Sequence, residues 1–180
     1  MFGFKSQRRK QSEEKAGIQF LASLLVCYPE ISSVTYDPQK VALTLDFVLR
    51  GSYPPQALDA FTKLLSESIA TYHALVDGTE PYLEIRGEEI AAEHKLVMFH
   101  VEREVATLER DELTLIARLF TEHFGRNLLV DSHSLKTLEQ DFAAVQSELL
   151  DQMLGQAAEI QFRMHMVGLR EGDRVVVYNR

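Results

Sequence analysis

Between residues 41 and 49, apolar side chains occupy every odd position: Val41, Leu43, Leu45, Phe47 and Leu49. Ala42, Thr44 and Asp46 lie between them, and only Val48 departs from the alternation. A period of two predicts a strand with one buried face. Upstream, Val34-Thr35-Tyr36 is short and β-prone, and Asp37-Pro38-Gln39-Lys40 carries turn chemistry, with Asp37 placed to form an Asx-turn. The two strands are therefore expected to form a hairpin. Arg50-Gly51-Ser52 breaks the strand, and Pro54-Pro55 suits the first turn of a helix. Leu58, Phe61, Leu65, Ile69, Tyr72 and Val76 then recur at helical spacing, and Asp77-Gly78 closes the helix.

A second run repeats this order. Tyr82-Leu83-Glu84-Ile85 reads as a strand and Gly87-Glu88-Glu89 as part of a connection. Residues 95–102 form a strand apolar on both faces over its middle, which predicts a central place in the sheet. Asp111-Glu112 puts acid where a helix N-terminus favours it. Leu113, Ile116, Ala117, Phe120 and Phe124 make the stripe, and Gly125 ends it. An offset of about 55 residues lays 41–49 over 96–104, although few residues are identical. The pattern predicts an α+β fold of two layers: a mainly antiparallel sheet from two ββα units, with helices on one face.

The flanks add further elements. A helix is expected over 13–28, with Ser12 as its cap and Ile18, Leu21, Ala22 and Leu25 as its stripe, ended by Pro29. Leu128-Leu129-Val130 reads as a short strand. Thr137 and Gln140 fit a capping box, followed by Leu138, Phe142, Val145, Leu149, Met153, Ala157, Ile160, Met164 and Val167 at helical spacing. Unbroken, this helix would be roughly 45 Å long at 1.5 Å per residue, more than a small domain needs. Either Gly155 breaks it, or part of its stripe faces another chain. Gly168 is placed to cap it, 170–173 to turn, and Arg174 through Tyr178 to form a final strand. The expected division is a basic flexible tail over 1–11, a core domain over 12–136, and a long amphipathic helix plus strand over 137–180.

Composition narrows the function classes. The net charge of −8 conceals Lys5, Arg8, Arg9 and Lys10 in a segment with no acid, so the body is more acidic still. An acidic body disfavours nucleic acid, whose binding is dominated by phosphate contacts. The first eleven residues, with Arg174, Tyr178 and Arg180, are the candidate basic and aromatic surface for such a partner. The single Cys27 allows no internal disulfide, and no apolar run approaches the ~18 residues of a spanning helix. A cytoplasmic location with no membrane span is the simplest expectation.

Chemistry-bearing residues concentrate in one place, Asp131-Ser132-His133-Ser134. Asp131 and His133, with His100, form a candidate ligand site, because an acid beside an imidazole can hold or move a proton. No glycine-rich turn, nucleophile elbow or metal-ligand spacing accompanies them, and no cofactor is implied. The leading expectation is therefore a non-enzymatic interaction or regulatory protein that self-associates as a homodimer and has a further protein partner. Its interaction surface would use Met153, Ile160, Met164, Val175 and Val177, since methionine gives an adaptable apolar surface and a terminal valine strand is unlikely to stay exposed. A small-molecule-binding protein or enzyme near Asp131 and His133 is the alternative, ahead of a nucleic-acid-associated protein.

Overall fold

The computed structural model describes residues 3–130, 140–172 and 174–179. β1 (Ser33–Asp37) and β2 (Ala42–Arg50) form the first hairpin. Its turn is the expected Asx-turn, in which the Gln39 amide donates to Asp37 Oδ1 at 2.8 Å. Leu43, Leu45, Phe47 and Leu49 are fully buried, as the alternation requires. α2 (Pro55–Val76) follows Pro54 and buries Phe61, Leu65, Ile69 and His73, with Gly78 beyond its end at φ 67°. Val76, assigned to the stripe, is instead exposed at the last turn, and His73 takes the buried position.

The second unit comprises β3 (Leu83–Ala91), β4 (Leu96–Glu104) and α3 (Arg110–Phe124). β4 lies between β3 and β2, the expected central place. β3 does not stop at Ile85. It continues through Gly87-Glu88-Glu89, whose polarity suits an edge strand in solvent, and its register slips between Glu89 and Ala91. Phe47 stacks on Phe120 with centroids 3.9 Å apart, and Phe61 meets Phe99, Phe120 and Phe124 at 5.4, 4.8 and 4.6 Å. This aromatic cluster holds α2 and α3 to β2 and β4; each buried ring contributes about 1.5–3 kcal/mol from area alone.

Four further elements complete the fold: α1 (Gly3–Cys27), α4 (Gln140–Gly155), β5 (Met166–Glu171) and β6 (Arg174–Asn179). α1 begins well before Ser12, so Ser12 lies inside the helix and not at its cap. The sheet has six strands in the order β3-β4-β2-β1-β5-β6, antiparallel throughout, with helices on one face. α1 covers β1, β5 and β6 with Phe20, Leu21, Leu24 and Leu25. Helix then terminal strand is the expected order, but the helix ends at Gly155. Its buried side chains are Leu150 and Leu154, while Phe142 and Val145 are exposed, so the buried face is offset from the predicted stripe. Residues 166–171, expected as the helix end, its cap and the start of a turn, form β5. Gly168 lies within that strand because Leu25 of α1 crosses it, leaving a Cβ only 3.1 Å from Leu25 Cδ1. Leu128 makes only an isolated bridge with Leu49.

The second strands of the two ββα units match end to end. Ala42 corresponds to Leu96 and Arg50 to Glu104, a constant offset of 54 residues. Across the pair, Ala42 faces Glu104 and Arg50 faces Leu96, so β2 and β4 meet symmetrically about the central pair Asp46 and His100. Val41 and Lys95, the residues that lead into β2 and β4, both have φ of 51°. A β-branched residue rarely adopts that conformation, and its recurrence at the equivalent place marks the same hairpin closure twice.

Candidate functional site

The sheet face away from the helices carries a hydrogen-bonded row across four strands. Ser33 on β1, Asp46 on β2 and His100 on β4 are direct neighbours in register, and each has the parity opposite to the core-facing apolar residues of its strand. Ser33 Oγ donates to Asp46 Oδ2 at 2.5 Å. His100 Nδ1 lies 2.7 Å from Asp46 Oδ1, and its Nε2 lies 3.1 Å from Glu88 Oε1 on β3. An ionised carboxylate only accepts, so both contacts are satisfied together when both ring nitrogens carry protons. The side chains of Asp46 and His100 are 12% and 19% exposed, which leaves the row reachable from solvent.

A second row lies alongside. Lys40 Nζ contacts Glu102 Oε1 at 2.7 Å, and the Tyr82 hydroxyl lies 2.9 Å from Glu102 Oε1 and 3.0 Å from Glu84 Oε2. Hydrogen bonds to Glu102 and Glu84 push the Tyr82 phenol up to about 12. Burial raises the Glu102 carboxyl, but Lys40 and Tyr82 outweigh it and the net shift is downward.

On the helix side, Arg103 has the inward parity of Val97, Phe99 and Val101 and is fully buried. Its Nε donates to Glu112 Oε1 at 2.5 Å and its Nη2 to Glu112 Oε2 at 3.0 Å. His73 Nε2 lies 2.8 Å from Glu112 Oε2, so that nitrogen carries the proton, and the 3.4 Å approach of Arg103 Nη2 is a contact and not a hydrogen bond. Arg103 Nη1 also donates to the Tyr82 carbonyl at 2.6 Å. These groups join β4, α2, α3 and the start of β3, and burial closes them to a ligand.

A cleft of about 880 Å³ opens between α1, the β1–β2 turn and the end of α4. Ala16, Val41, Met153, Ile160 and Phe162 give it apolar surface, and Glu13, Glu159 and Arg163 add charge. Its far wall is fixed by one hydroxyl: Tyr36 OH accepts from the Phe162 amide at 3.0 Å and donates to the Phe162 carbonyl at 3.2 Å.

Of the residues expected at a site, Asp131 and His133 lie outside the described residues. The chain reaches Val130 beside β2, where the Leu129 amide donates to the Val48 carbonyl at 2.8 Å. His100 sits at the centre of the sheet, with Asp46 and Glu88 as partners that the sequence reading left out. The lone acid of an alternating strand was the available signal for Asp46. Met153 and Ile160 line the cleft, whereas Met164, Val175 and Val177 pack half-buried against the core. The Cys27 thiol is half-buried and pushed up chiefly by burial, which opposes reactivity. Among the described residues, no three His, Cys, Asp or Glu side chains are grouped to hold a metal, and no helix is long and apolar enough to cross a membrane. No family model, curated protein or solved structure matches the chain.

Proposed function

We propose that this protein is a recognition module that acts as a two-fold dimer, with two copies joined along β6. The contrast between the two sheet edges carries this reading. β3 presents Glu84, Arg86, Glu88 and Glu89 and a register slip, the devices that keep an edge strand from pairing. β6 places Val175, Val176 and Val177 in succession with no charge among them and pairs only with β5 among the described residues. Val175 and Val177 stay half-buried at the margin of the sheet, and a second β6 would cover them. Recognition is favoured over catalysis because both nitrogens of His100 are occupied by the chain's own carboxylates.

Light scattering on the full chain tests the dimer. The expected mass at high micromolar concentration is twice that of one chain. Val176→Lys, on the sheet face away from α1, is expected to give the monomer with an unchanged far-ultraviolet spectrum. A strictly monomeric native chain at that concentration would sink the proposal.

A further inference from the structure

The cleft beside α1 is large enough for a small ligand. Its volume of about 880 Å³ is in the range of small-molecule pockets, roughly 300–1,000 Å³. Three separate segments build it, and each is held in place. Ser12, Glu13 and Ala16 lie on one face of α1; Pro38 and Gln39 belong to the Asx-turn; and Phe162 is clasped at both its amide and its carbonyl by Tyr36. The Phe162 ring is packed edge-on against Tyr36, with centroids 5.2 Å apart, so the apolar wall does not depend on a ligand to form.

The polar groups select the ligand. Arg163 is 67% exposed and pairs with Glu13 at 3.7 Å, so its charge is met within the protein. Glu159, on the short 3₁₀ turn after α4, has no side-chain partner among the described residues. Its carboxylate is the uncompensated charge beside an apolar surface. Gln39, Gln156 and Gln161 supply neutral amides around it.

We infer that this cleft binds a small amphipathic cation, an apolar ring or chain carrying an ammonium group, with Glu159 meeting the charge and Val41, Met153, Ile160 and Phe162 the apolar body. The inference does not depend on the β6 dimer. An anionic ligand of the same body would be repelled by Glu159, which sets the test.

The full chain, labelled with nitrogen-15, is titrated with 4-phenylbutylamine and separately with 4-phenylbutyrate. The expected result is saturable movement of the Val41, Gln156, Ile160 and Phe162 amides with the amine, and binding weaker by about tenfold or more with the carboxylate. Glu159→Gln lies on the surface and is expected to keep the melting temperature while removing most of the preference for the amine. Met153→Ala, which shortens the apolar surface, should weaken both probes alike. Absence of saturable shifts at millimolar amine, equal affinity for the two probes, or shifts centred on other residues would each overturn the proposal.

Discussion

Arg103 and Glu112 are both fully buried, and taking such charges out of water costs several kcal/mol per ion unless each finds its partner. Here the fork of Arg103 meets both oxygens of Glu112, so the pair is stable only as a pair. Arg103→Met is expected to cost about 3–5 kcal/mol in urea unfolding, because it leaves the buried Glu112 carboxylate with His73 and without its counter-charge. Adding Glu112→Leu should restore part of that loss, since His73 Nε2 then loses its acceptor; a double variant no better than the single one would show that the pair does not act as a unit. The Tyr82 row has a pH signature. Its phenol is raised from the usual 10 to about 12, so the folded chain holds that proton more tightly. Its contribution is complete below pH 10 and is lost as pH climbs through 12. Titration of phenolate absorbance should therefore show a late component that Tyr82→Phe removes. Glu102 runs the opposite way: lowered in the folded state, it stabilises above the ordinary carboxylate range and loses that contribution as pH falls. Lys40→Met should move the Glu102 carboxyl upward, which carbon-detected titration would follow.

Elements were legible where one face meets the core and the other meets water. The odd positions of β2, the α3 stripe and the Asx-turn at Asp37 follow from periodicity and turn chemistry alone. β3 beyond Ile85 did not, because an edge strand in solvent has the composition of a loop. Glu112 fitted the reading of a solvated acid at a helix start; only the inward parity of Arg103, on another element, signals its burial. His100 was grouped with Asp131 and His133 and not with Asp46 and Glu88, since Glu88 comes from the misread part of β3. The end of α4 failed for a different reason. Apolar residues at 153, 157, 160, 164 and 167 keep helical spacing across a real break, and β5 is defined by its pairing with β1 and β6, with α1 lying over Gly168. Two glycines separate the readings. Gly168→Val should cost about 1–3 kcal/mol by forcing a side chain into Leu25 and Leu21. Gly155→Ala, with open space around it, should be neutral or stabilising by up to about 1 kcal/mol. A helix running through to a cap at Gly168 would not place Leu25 against it, so a neutral Gly168→Val would count against β5.

At the scale of the whole molecule, two ββα units share one sheet, and α1, β5 and β6 extend it on one side only. The extension moves the edge from β1, which would mirror β3, out to the valine strand, and this is why the dimer proposal rests on β6. The symmetry of the β2–β4 pairing has a consequence for its central pair. Were two identical ββα halves to meet as separate chains about the same axis, the residue on the axis would face its own copy. An aspartate there would oppose an aspartate, and a histidine a histidine. Within one polypeptide these two positions need not be the same, and here an acid is set against a base: Asp46 against His100 is a pairing that two identical chains could not make on such an axis.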